Sequence, residues 1–139
     1  MYLVDTNVVS EVRKQGRADK GVMAFFRKAA RNDADLYLSV VTVGELRRGV
    51  EIIRYRGDKP QATRLESWLD GVLREFASNI LAVDEEIGQL WGRLRVPHPE
   101  HSLDKLIAAT ALIHDLTVVT RNVEGFAGTG ARLLNPFKG

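Results

Sequence analysis

The chain has 139 residues, 27% of them charged, and a formal net charge of +2. That length suits one domain, and 45% hydrophobic residues exclude a disordered chain and supply a core that needs no staple. With 0 Cys, disulfides, thiolate zinc sites and a thiol nucleophile are excluded, and no apolar run approaches the ~18–20 residues of a membrane helix.

Tyr2-Leu3-Val4 is a β-prone run that ends in the polar triplet Asp5-Thr6-Asn7, and Val8 to Lys14 follows as a short helix. Gly16 and Gly21 bracket a polar loop. Val22, Phe25, Phe26, Ala29 and Ala30 then repeat at helical spacing. Leu36 to Val41 is a second strand. Thr42 opens a helix with Val43, Leu46, Val50 and Ile53 on one face and several Arg on the other. After Gly57 and Pro60, Leu65, Trp68, Leu69, Val72, Leu73 and Phe76 trace a long amphipathic helix. Ile80 to Val83 is a third strand, and Asp84 caps a helix carrying Ile87, Leu90, Trp91 and Leu94. Val96 to His101 holds Pro97 and Pro99 and is a loop. Ser102 to His114 is apolar nearly all round, as a centrally packed helix would be. Leu116 to Val119 and Arg132 to Leu134 are the last two strands. Strands separated by helices imply right-handed crossovers. The expected fold is α/β: a single three-layer α/β/α domain over residues 1–139, with a central parallel sheet of four to five strands.

In an open parallel sheet, ligands bind beyond the carboxyl ends of the strands. The polar residues there are Asp5, Thr6 and Asn7 after the first strand, Thr42 and Glu45 after the second, and Thr120, Arg121 and Asn122 after the fourth. Asp104 lies in the first turn of the helix that feeds the fourth strand. Each has a plainer reading. Asp5 could only cap a helix, Thr42 to Glu45 matches a capping box, Ser102 to Asp104 matches an N-cap with a dipole acid, and Asn122 suits a turn. Taken jointly, several oxygen ligands converge on one rim. Clustered carboxylates repel one another, and a hard divalent cation such as Mg²⁺ or Mn²⁺ relieves that repulsion and can activate water against a phosphoryl group. The spacing allows a metal-dependent phosphodiesterase without demanding one. His98 and His101 lack a third ligand and do not read as a zinc site. Trp68 and Trp91 sit on apolar stripes and read as core. Of the 20 Lys+Arg, 14 are Arg, which suits bidentate phosphate contact.

Four segments in order resemble the PIN-domain ribonucleases, most closely the VapC-type toxins of type II toxin–antitoxin systems, including the FitB-like branch. They are Tyr2-Leu3-Val4-Asp5-Thr6-Asn7, Ser39 to Gly49 with Thr42-Val43-Gly44-Glu45-Leu46 at its centre, Asp104-Lys105-Leu106-Ile107-Ala108-Ala109, and Thr120-Arg121-Asn122-Val123-Glu124-Gly125-Phe126. The resemblance implies a PIN-like fold and a metal-dependent endoribonuclease toxin. By it, Asp5, Glu45 and Asp104 bind Mg²⁺ or Mn²⁺ and position a hydrolytic water, Asn122 stands at a fourth position with a neutral carbonyl, and Thr6, Asn7 and Thr120 support them. Arg47, Arg48 and Arg121, with Arg13 and Arg54, are the candidates to contact RNA phosphates. The implied partners are RNA, a small VapB-like antitoxin and a second copy of the chain. The apolar helix faces after Val22 and Thr42 are candidates for the antitoxin's groove. Two departures stand out: Asn122 where the family often has Asp, and Gly125 where it commonly has an acid, with Glu124 one residue out of register. They leave open a non-catalytic module that binds RNA or protein. Because the N-terminus has no basic stretch before its apolar residues, a cytoplasmic protein is expected.

Overall fold

A computed structural model describes residues 1–138. Five strands, β1 (Tyr2–Val4), β2 (Leu36–Ser39), β3 (Ile80–Leu81), β4 (Thr117–Val119) and β5 (Arg132–Leu134), form one sheet in the order β3-β2-β1-β4-β5. Every pairing is parallel. The chain starts in the middle of the sheet, builds outward to one edge through β2 and β3, and returns to build the other edge through β4 and β5. The reversal falls between β1 and β4, where an open sheet leaves a crevice at its carboxyl ends.

Six helices cover the sheet: α1 (Thr6–Val12), α2 (Lys20–Arg31), α3 (Val40–Tyr55), α4 (Lys59–Glu75), α5 (Glu85–Leu94) and α6 (Ser102–His114). Side chains on a strand alternate between faces, and the core divides accordingly. Val4 and Val119 join Val8, Val22, Leu38, Leu46 and Leu69 under α1 to α4. Leu3 and Val118 join Ile107, Ala108, Ala111 and Phe126 under α6. The three-layer α/β/α expectation therefore holds. Among the described residues, no helix is long and apolar enough to cross a membrane.

The sequence places several boundaries differently. α1 begins at Thr6 rather than Val8, because the Asp5 side chain caps it. α2 begins at Lys20, so Gly21 lies inside the helix. A Cβ on Gly21 would come within 2.1 Å of the Pro136 carbonyl oxygen, so glycine there admits the C-terminal segment. β2 stops at Ser39 and α3 starts at Val40, not Thr42. Ser39 supplies the cap, its hydroxyl accepting from the Val41 N–H at 3.0 Å, so Thr42 to Glu45 is not a capping box. β3 holds only Ile80 and Leu81, which pair with Leu38 and Ser39 at the sheet edge. β4 starts at Thr117 instead of Leu116. Ser102 is not an N-cap: the residue before α6 is His101, with φ 56° and no side-chain cap bond.

Candidate functional site

Asp5 follows β1 directly and is 7% exposed. Its Oδ1 accepts from the Thr6 N–H at 2.8 Å and its Oδ2 from the Thr120 hydroxyl at 2.8 Å. Thr120 follows β4, and its oxygen also accepts from the Asn122 N–H at 3.0 Å and the Asn7 amide at 3.3 Å. Asn7 in turn accepts from the Arg121 N–H at 3.0 Å. The ends of β1 and β4 are thus tied together by side chains on both sides of the crevice. Thr6 supports Asp5 through its backbone, whereas Asn7 and Thr120 act through their side chains.

Asp104 reaches the same rim by topology. A helix that packs antiparallel to the strand it feeds must begin at that strand's carboxyl end, and α6 feeds β4. Its start is held by Lys105, a buried side chain whose Nζ donates to the His98 carbonyl oxygen and ties the Pro-containing loop to the helix. Asp104 Oδ2 accepts from the Asn122 amide at 2.8 Å and lies 3.8 Å from His101 Nδ1. An ionised carboxylate only accepts, so Asn122 turns its NH₂ toward Asp104. The carbonyl ligand that the sequence suggests at Asn122 is not what it presents to Asp104.

Asp5, Glu45 and Asp104 line one cavity of about 270 Å³ together with Thr6, Asn7, Val41, Thr42, Leu103 and Ile107. β2 delivers α3 to this rim, so the first two turns of α3 bring in Thr42 and Glu45. Burial pushes the Asp5 carboxyl above its ordinary range, the Glu45 charge adds to the rise, and the bonds from Thr120 and Thr6 oppose it. Asp104 is raised as well, first by burial and then by the charge of Asp5, against His101 and Asn122. Carboxylates that raise one another's proton affinity form a site that favours a cation. The donors are oxygens throughout, the chemistry of Mg²⁺ and Mn²⁺. Among the described residues, no three acidic or histidine side chains are gathered around one point. Asp5 and Asp104 line the cavity while each also accepts hydrogen bonds from neighbouring donors.

The remaining expectations separate. Glu124 is exposed and does not line the cavity. Arg47 and Arg54 are committed elsewhere: Arg47 pairs with Glu66 at 2.6 Å and Glu51 at 3.4 Å, and Arg54 pairs with Glu51 and Glu66. Arg48 is exposed on α3 away from the cavity. Arg121 is exposed, its guanidinium 4.6 Å from the Phe137 ring centroid. Arg13 borders a groove of about 350 Å³ between α1, α3 and α4 whose lining includes Glu45. Trp91 and Trp68 are half-buried. Trp91 donates to the Ser102 carbonyl at 2.9 Å, while Trp68 lines the α1–α3–α4 groove.

Two residues escape the sequence reading. Lys105 fixes the loop before Asp104. Thr42, expected at the rim, lines the cavity as a helix residue rather than a cap. Gly125, read from the sequence only as a missing acid, is a close approach: a Cβ there would lie 2.0 Å from Asp104 Oδ2 and 2.7 Å from Asn122 Nδ2. Only the position of Gly125, directly before the buried Phe126, could have hinted at this.

A PIN domain family model matches residues 2–130. The chain is 35% identical to Toxin FitB of Neisseria gonorrhoeae over 99% of both chains. It is 31% identical to VapC ribonuclease Y4jK of Sinorhizobium fredii, again over 99% of both. The crystal structure of FitAcB from Neisseria gonorrhoeae superposes with a TM-score of 0.84 and 33% identity over 98% of each chain. With likeness in sequence from end to end, and the same sheet and helices underneath it, the chain belongs to the PIN domain family.

Proposed function

We propose that this chain is an endoribonuclease toxin that hydrolyses RNA phosphodiester bonds with Mg²⁺ or Mn²⁺ and is neutralised by a small antitoxin. The observation that carries the reading is the meeting of Asp5, Glu45 and Asp104, from three distant segments, on one cavity at the sheet's crevice. Relatives named Toxin FitB and VapC ribonuclease support the reaction class.

Asp5, Glu45 and Asp104 are the residues that would hold the ion. When bound, such an ion polarises a phosphoryl oxygen and lowers the pKa of a bound water. The chain's own work is orientation. The Thr6 N–H and the Thr120 hydroxyl fix both oxygens of Asp5, and Asn122 steers Asp104. Arg121, at the rim beside Asn7, and Arg13, in the groove that Glu45 also lines, are the cations best placed for RNA phosphates.

The α1–α3–α4 groove has an apolar floor of Leu46, Val50, Ile53, Leu65 and Trp68, which suits apolar side chains of an antitoxin segment. A basic side chain carried along it would reach the carboxylates and compete with the cation. A homodimer in the cytoplasm completes the reading.

The test is cleavage of RNA by the purified protein. Activity should need Mg²⁺ or Mn²⁺ and stop with EDTA. Asp5→Asn and Asp104→Asn should each lose roughly 100-fold or more with circular dichroism unchanged. Full cleavage by both variants would refute the assignment. The reading as a non-catalytic module rested on Asn122 and Gly125; the likeness to Toxin FitB and a VapC ribonuclease favours the nuclease instead.

A further inference from the structure

We propose that Thr42 is a positioning residue of the acid cavity: its hydroxyl hydrogen-bonds water there and so strengthens the cavity's hold on a divalent cation. The inference rests on the metal reading above.

Thr42 is 1% exposed and stands one turn before Glu45 on α3. Its Oγ1 is buried with no hydrogen-bond partner. Every other buried hydroxyl among the described residues is engaged. Ser39 caps α3, Thr110 donates to the Leu106 carbonyl at 2.9 Å, Thr120 donates to Asp5, and Thr129 donates to the Phe126 carbonyl at 2.7 Å. Thr110 uses the carbonyl four residues back, the usual outlet for a helical threonine, and Thr42 does not.

A buried hydroxyl left without a partner is costly, and valine would fill the same volume without that cost. What distinguishes Thr42 is its place: it lines the cavity with Asp5, Glu45 and Asp104. That cavity, about 270 Å³, has room for several waters at ~30 Å³ each. A hydroxyl offers one donor and two acceptor positions, so it can receive a hydrogen bond from water whose oxygen faces a cation. Groups that orient a metal's surroundings without ligating it commonly govern affinity. The hydroxyl therefore finds its partner in the cavity's water, and that water is shared with the ion.

The experiment measures Mn²⁺ binding through the resonance signal of free Mn²⁺, with thermal unfolding in EDTA alongside. Thr42→Val should bind Mn²⁺ roughly 10-fold more weakly while its melting temperature in EDTA equals or exceeds that of the unaltered protein. Thr42→Ser should restore binding. Equal affinity in Thr42→Val and the unaltered protein overturns the proposal, as does a lower melting temperature with affinity unchanged. If Thr42→Val does not fold, Thr42→Ala against Thr42→Ser isolates the hydroxyl: weaker binding by the alanine variant supports the role, and equal binding overturns it. Asp104→Asn separates the two levels. If the unaltered protein takes up no Mn²⁺, the metal reading fails and Thr42 falls with it. If Asp104→Asn loses binding and Thr42→Val does not, only the role of Thr42 fails.

Discussion

Asp104 shows how one carboxylate can cost stability and still be kept. Folded Asp104 releases its proton at a higher pH than the unfolded chain does, because burial and the charge of Asp5 both disfavour ionisation. Between those two values the folded state holds more protons, so raising the pH through that window lowers stability. Asp104→Asn should accordingly raise the melting temperature in EDTA at pH 7. The gain should shrink toward zero below ~pH 4, where both states of the unaltered protein are protonated. A variant that is less stable at pH 7 would contradict the repulsion. Gly125 belongs to the same residue-scale argument. The atoms a Cβ would strike there are the far ends of Asp104 and Asn122, so Gly125→Ala is relieved by turning the carboxylate rather than by moving backbone. Stability should change little, while RNA cleavage falls by about 100-fold, the usual cost of displacing a reacting group by an ångström. Cleavage at the original rate would show that the position of Asp104 does not matter. Asp5 and Glu45 were legible as rim candidates because each follows an identifiable strand, whereas Asp104 was legible only as an acid that opens a helix. The role of Gly125 was not, because a close approach between residues 104 and 125 leaves no mark on either segment.

At the scale of elements, the start of α3 decides where Thr42 and Glu45 point. Val40 and Val41 are β-branched and read as the end of a strand. The Ser39 side chain instead takes the Val41 N–H and turns the backbone into a helix. Ser39→Ala should cost about 1 kcal/mol in urea unfolding, the typical value of a lost cap, and should reduce cleavage because both cavity residues ride on the first turns of α3. A change in stability with cleavage untouched would separate the cap from the site. α3 and α4 are further joined by the ion-pair network of Arg47, Glu51, Arg54 and Glu66, which explains why arginines that resemble a phosphate-binding face are committed to a helix neighbour. Sequence spacing identified both helices. It could not tell which of their arginines were already paired, since Glu66 lies 19 residues from Arg47.

For the whole molecule, the sheet order β3-β2-β1-β4-β5 sets the site between β1 and β4, and the two cores on its faces hold it there. Leu69 is fully buried in the core under α1 to α4 and does not line the acid cavity. Leu69→Ala should therefore lose about 2–5 kcal/mol of stability while cleavage per folded molecule stays as it was. An equal loss of both would mean that the core and the site are coupled. The sequence alone determined the layered α/β class, the positions of the strands to within a few residues and the candidate acids, because hydrophobic period and strand-end chemistry are written locally. Only the tertiary structure decided the strand order, the arrival of Asp104 at the rim, the amide of Asn122 turned toward it and the orphaned hydroxyl of Thr42. Each of these depends on which distant segments pack side by side, and packing across the sheet obeys shape and charge between residues that the chain itself keeps far apart.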